Sequence, residues 1–249
     1  MILVGVVALV NWNDTKEIEQ PASSAPSIPA PTPVFQSRYR NAVDAHFSGS
    51  RQCIECHKHE AESFSSNPHA HSLEKVVVSE EPPDSEFAHS ASGTNYRIHR
   101  DGQRMWHREF YLAEGSEEIA ITEQPIEWRI GSGHHSRSYL VDIDGFFFES
   151  PLTWYVSKKA WGLSPGFDNP NHEGFSRAAH EGCIECHSGR VEPIGKSTHR
   201  LNILESSIGC ENCHGPGSIH IQERTAGVPV NADFDDSIVH PQKLSRALN

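Results

Sequence analysis

The chain is short of positive charge. Its 249 residues hold 21 Lys and Arg against 33 Asp and Glu, a formal net charge of -12. Nucleic-acid binding rests on cations that neutralise phosphates, so this balance excludes that class and favours a partner with a basic face. Apolar residues are also scarce, at 36%, and the mean hydropathy is -0.53. With 16 Pro and 18 Gly as well, the side chains alone look too polar to build the core that this length allows, unless something else fills it. Long hydrophobic runs are missing too. The one candidate, residues 1–10, is half of the roughly 20 residues that span a bilayer and has no Lys or Arg before it. It reads as the remnant of a signal or membrane anchor whose start lies upstream, the rival being a short buried strand.

Residues 11–36 are polar, with Pro21, Pro26, Pro29, Pro31 and Pro33 spaced mostly by small residues. Such a stretch cannot bury enough apolar surface to order itself, and it reads as a linker to a membrane tether. The folded part is expected over 37–249. Spacing after Arg51 predicts a helix running toward Pro68. Strand signals take over after Gly93, where Tyr96–His99 and Met105–Phe110 flank Asp101-Gly102, a hairpin pattern. Ile126, Trp128 and Ile130 then alternate with charged residues, and Tyr139, Val141 and Ile143 lead into Asp144-Gly145 and Phe146. These segments predict an antiparallel meander over about 94–157. After Trp161 the periodicity is weak, and short helices and loops are expected.

All six cysteines fall into three units with none left over: Cys53-Ile-Glu-Cys56-His57, Cys183-Ile-Glu-Cys186-His187 and Cys210-Glu-Asn-Cys213-His214. Two thiols three positions apart can form thioethers to the two vinyl groups of a haem, and the adjacent imidazole comes under the iron as proximal ligand. The residues therefore point to three covalent haem c groups, which would also fill a polar core. A rival reading pairs Cys183 and Cys186 with Cys210 and Cys213 around zinc, but leaves Cys53 and Cys56 without partners. Disulfides or a redox dithiol form the other rival. With 17 His in the chain, His would follow all three Cys-x-x-Cys units by chance only roughly 3 times in 10,000.

Distal ligands obey no local spacing rule, but Met1 and Met105 are the only methionines, so His/Met ligation can serve at most one haem. Bis-His haems of low potential are the expectation. His220, after Cys213-His214-Gly-Pro-Gly, is the first distal candidate. Its six-residue reach, at most roughly 20 Å and partly spent in a turn, points it at a neighbouring haem rather than its own. His69 follows Pro68 and competes with His71, and His135 sits in a glycine-rich turn with His134 as alternate. For each, a solvated loop histidine is the rival. The remaining histidines, among them His89, His99, His107 and His172, are expected at the surface or against propionates, as are Arg137 and Arg177.

The pattern resembles the cytochrome c-554 family of multihaem cytochromes, including longer members that append tetratricopeptide repeats. The residues that carry the likeness are Cys53-x-x-Cys-His with Ser66-Asn-Pro-His-Ala, Gly131-Ser-Gly-x-His-x-Arg-Ser-Tyr-Leu140 and Ser164-Pro-Gly166. With them go Cys183-x-x-Cys-His and Cys210-x-x-Cys-His-Gly-Pro-Gly-x-x-His220. The resemblance runs over about residues 50–249 and implies bis-His ligation with closely packed haems. In that family a segment like Ile238–Leu244 leads toward a further Cys-x-x-Cys-His, so it also implies a domain cut short at its C-terminus.

These readings together predict an α+β fold in which haem organises short helices and loops around a central antiparallel meander. The expected work is electron transfer in the periplasm or outside the cell, with a redox partner protein of basic face. The alternative is a redox enzyme acting on a small nitrogen or oxygen species at a five-coordinate haem.

Overall fold

The computed structural model describes residues 39–197, 199–230 and 234–244. The expected anchor remnant at 1–10 and linker at 11–36 lie outside these residues.

After a short 3-10 turn at Arg40–Ala42, the described residues form two short helices, α1 (Ser50–Ile54) and α2 (Lys58–Ser65), and then β1 (Leu73–Lys75). Four strands follow as a meander: β2 (Ser85–His89), β3 (Thr94–Asp101), β4 (Arg104–Leu112) and β5 (Glu118–Ile126). Next come β6 (Trp128–Ile130), β7 (Ser136–Ile143), β8 (Phe146–Glu149), β9 (Leu152–Tyr155) and β10 (Ala160–Leu163). The C-terminal part holds α3 (Glu181–Glu185), β11 (Arg190–Pro193), β12 (Leu201–Glu205), α4 (Cys210–His214) and α5 (Ser218–Thr225).

The strands form two main antiparallel sheets and one hairpin. The first sheet runs in the order β2-β3-β4-β5. The second runs β1-β6-β7-β9-β10, with β8 also on β7, and β11 pairs with β12. The β3–β4 hairpin turns as Asp101-Gly102 predicts, with Asp101 opposite Arg104, although only Gly102 takes the left-handed backbone. In the β7–β8 turn both Asp144 and Gly145 have positive φ, the pattern of a type I′ turn.

Alternation along the strands fixes which faces meet. Tyr96 and Ile98 on β3, Met105 on β4 and Ile126 on β5 pack with Tyr139, Val141, Leu152 and Trp161 of the second sheet, all nearly closed to solvent. The other face of the second sheet buries Leu73, Trp128, Leu140 and Phe147 against Ile184 of α3 and Leu201 of β12. The second sheet is therefore the middle of three layers.

The expected α+β fold organised by haem needs correcting, because antiparallel sheet is the framework and the helices are minor. Each α-helix is five or eight residues long; α1, α2 and α5 bury no residue at all, and α3 buries only Ile184. The scarce apolar residues are concentrated on the inward faces of the strands, which make a core from side chains alone. His107 is also corrected. It is fully buried between the two sheets, edge-on to Tyr139 and Trp161, with Nδ1 2.7 Å from the Ser150 hydroxyl.

Candidate haem-attachment site

The helix predicted toward Pro68 is interrupted at the first motif. Cys53 lies on α1, the chain unwinds through Cys56, and His57, with φ -109° and ψ 50°, stands just before α2. The third motif is α4 itself. Its Asn212 side chain accepts from the Gly209 N–H at 2.8 Å and donates to the Ser188 carbonyl at 3.3 Å, which ties it to the residue after His187.

The first and third motifs open on one cleft of about 260 Å³, lined by Cys53, His57, Phe64, Cys210, Cys213 and His214. Ser50 locks the two helices: its hydroxyl accepts from the Cys210 N–H at 2.9 Å, and its own N–H donates to Glu205 at 3.2 Å. The Cys53 and Cys210 thiols share a hydrogen bond that pushes Cys53 up and Cys210 down from the ordinary thiol range. A zinc ribbon would instead join Cys210 to Cys183. Among the described residues no three His, Cys, Asp or Glu side chains are arranged to hold a bare metal ion.

The donor set fits haem c. All six cysteines are free thiols, four of them exposed and two half-buried, although cysteine is among the residue types most often buried. His214 donates Nδ1–H to the Val239 carbonyl at 2.8 Å, which leaves the Nε2 lone pair for a metal. His57 turns Nδ1 toward Glu60, 3.9 Å away. His220 on α5 has Nδ1 3.1 Å from the Ser237 hydroxyl and 3.3 Å from the Asp235 carboxylate. Burial draws its pKa down, with Asp235 opposing. The rings of His57 and His220 have centroids 6.2 Å apart and planes 28° from parallel.

The second motif stands apart from this cleft. Cys183 and Cys186 are exposed around α3, and the His180 ring lies 3.9 Å from the Cys183 sulfur. His187 is half-buried, which lowers its pKa, and its carbonyl accepts from the Ser72 hydroxyl at 2.7 Å. The His69 carbonyl, 2.8 Å from the same oxygen, shares that one proton, and the oxygen accepts from the Ile208 N–H at 3.0 Å, so one small side chain gathers three segments.

The distal candidates separate. Both nitrogens of His71 are engaged, with Glu74 and the Ser65 carbonyl, and the Glu74 contact raises its pKa, leaving no lone pair for a metal. His69 is exposed, its backbone N–H capped by Asn67. His134 and His135 are both exposed between β6 and β7, where Gly131 and Gly133 take positive φ; no described ring contact brings either to a motif. Arg137 binds Glu81 and the Glu80 carbonyl, and Arg177 binds Glu149 and the carbonyls of Pro165 and Gly166, so both are committed within the protein. Sequence reading passed over Ser72, and Glu211 within the third motif, although Glu211 occupies an x position of Cys-x-x-Cys.

Residues 52–102 and 168–215 match the family model described as cytochrome c554 and c-prime. Over those two segments, 99 of its 249 residues, the chain is similar to that family. All three Cys-x-x-Cys-His units and His69 fall inside the matched segments, whereas His135, His220 and the segments 131–140 and 164–166 fall outside them. The match is thus narrower than the resemblance over 50–249. No curated protein and no solved structure matches the chain. That likeness suggests a cytochrome-type role in electron transfer and implies covalent haem c; proteins of the family are typically extracytoplasmic. No helix among the described residues is long and apolar enough to cross a membrane.

Proposed function

We propose that the chain holds three covalent haem c groups and passes electrons among them outside the cytoplasm. Cys53 and Cys56, Cys183 and Cys186, and Cys210 and Cys213 form the thioethers, with His57, His187 and His214 as proximal ligands. The observation that carries this reading is the cleft shared by the first and third motifs, where the thiols of Cys53, Cys210 and Cys213 stand beside His57 and His214. His220, whose ring lies 6.2 Å from that of His57, is assigned to this neighbouring motif rather than its own.

Haem c supplies the one-electron chemistry when bound. The protein's part is to orient and tune. Val239 fixes the His214 tautomer, Ser237 and Asp235 aim His220, and the Ser50 bridge holds the first and third motifs together. His69 and His135 remain the distal candidates for the other haems. The net charge of -12 suits a redox partner with a basic face, and residues 1–36 suit a tether to the membrane.

The test is a pyridine haemochrome assay with intact mass on protein matured in a periplasm. Three covalent haems per chain are expected, and any other number overturns the reading. One observation favours a second reading, the redox enzyme: among the described residues no imidazole ring faces His187 as His220 faces His57. A high-spin ferric signal that shifts on adding cyanide or nitrite would establish it, and purely low-spin haems would exclude it.

A further inference from the structure

Glu211 is 4% exposed, a carboxylate inside the third motif between Cys210 and Cys213. Taking a charge out of water costs several kcal/mol unless hydrogen bonds replace the lost hydration. Here they do. The Gly49 N–H donates to Oε2 at 2.7 Å, the Gly217 N–H to Oε1 at 2.7 Å, and the Ser48 N–H to both oxygens at 2.9 and 3.1 Å.

These donors come from two places that matter. Ser48 and Gly49 immediately precede α1, which carries Cys53, and Gly217 immediately precedes α5, which carries His220. Gly49 has φ 85° and Gly215, two residues before Gly217, has φ 70°, so both approaching segments use backbone that favours glycine. A Cβ on Gly217 would stand 3.2 Å from Oε1, closer than ordinary packing. One side chain thus joins the arm of the first motif, the whole third motif and the residue that faces His57. All its partners are neutral amides, and no Lys, Arg or His forms an ion pair with it among the described residues. Its charge is held by hydrogen bonds and cancelled by no cation.

Building on the haem reading above, we propose that Glu211 is a positioning residue with two effects. It latches the first attachment motif and the His220 helix onto the third motif, and its uncompensated buried charge lowers the reduction potentials of the two haems beside it. A negative charge in a medium of low dielectric favours the more positive, oxidised iron.

The test uses holoprotein matured in a periplasm. Glu211→Gln removes the charge with little change in shape, and Glu211→Asp keeps the charge and loses reach. In Glu211→Gln, with three haems still attached by mass, potentiometric titration is expected to show at least one haem shifted upward. The expected shift is tenfold in the reduced-to-oxidised ratio, about 59 mV for a one-electron couple. Glu211→Asp is expected to move the potential less than threefold while broadening the low-spin electron paramagnetic resonance lines, because the His57 and His220 rings lose their fixed relation. A Glu211→Gln protein with three haems and potentials within twofold of the parent overturns the electrostatic effect. Unchanged line shapes in Glu211→Asp overturn the latch, and decide the matter if Glu211→Gln does not accumulate. A parent protein without three haems would instead sink the haem reading itself.

Discussion

The sheets and the attachment face are held by different forces. In the sheets Tyr96, Tyr139, Met105 and Leu152 are wholly closed to solvent, and apolar area removed from water supplies the cohesion. On the attachment face α1, α2 and α5 bury nothing, and α4 buries only Glu211. Polar clamps do the holding there. Arg40 bonds Glu223 at 2.8 Å and Asp236 at 2.8 Å, and the Asn41 amide donates to the carbonyls of His214 and Pro216. The sheets thus owe their cohesion to apolar burial, and the attachment face to hydrogen bonds and ion pairs.

The widest gap between the regions should open when the six cysteines are all replaced by alanine, so that no haem is attached. Amide exchange is then expected to stay slow across β3, β4 and β7 and to become fast across α1, α2, α4 and α5. Equal protection in both regions would erase the contrast. A smaller effect is expected from single truncations measured by urea unfolding. Leu152→Ala should cost about 2–5 kcal/mol through a cavity between the sheets, whereas Ile54→Ala, at an exposed position on α1, should stay within about 0.5 kcal/mol.

The smallest effect concerns pH. Burial holds His107 neutral, its pKa lowered to about 3. Because the folded value lies below the unfolded one, near 6.5, unfolding takes up a proton in acid, and stability falls as pH drops from about 6.5 toward 3. At its steepest the loss is about 1.4 kcal/mol per pH unit. His107→Gln should remove that part of the slope between pH 7 and 5. An unchanged slope would mean that the sheets do not carry this sensitivity.

The sequence revealed the sheets where local chemistry dictates them. Alternation at Tyr96, Ile98, Trp128, Tyr139 and Val141 marked inward faces, and Asp-Gly pairs marked two turns. It did not reveal β11 and β12, because these short strands carry only Val191, Leu201 and Ile203 as apolar signals and their register slips between Arg190 and Val191. Nor did it show that the sheets rather than the helices hold the core, since whether an apolar residue is shared by two layers depends on tertiary contact. On the attachment face the Cys-x-x-Cys-His spacing was legible, and it is what carries the haem expectation. The facing of His57 and His220 was legible only as reach, and the work of Glu211 not at all, because its partners are backbone N–H groups that every residue but proline possesses.

The clamps between residues 40–50 and the third motif have a consequence for how the molecule assembles. Arg40 and Asp236 are 196 residues apart in sequence, and Gly49 and Glu211 are 162 apart. Closing loops of that length costs more chain entropy than pairing neighbouring strands, so hairpins such as β3–β4 form ahead of them. The segments around Arg40 and Gly49 therefore meet those around Glu211 and Asp236 last, and until they do the cleft between Cys53 and Cys210 stands open, with its thiols within reach of whatever must be joined to them.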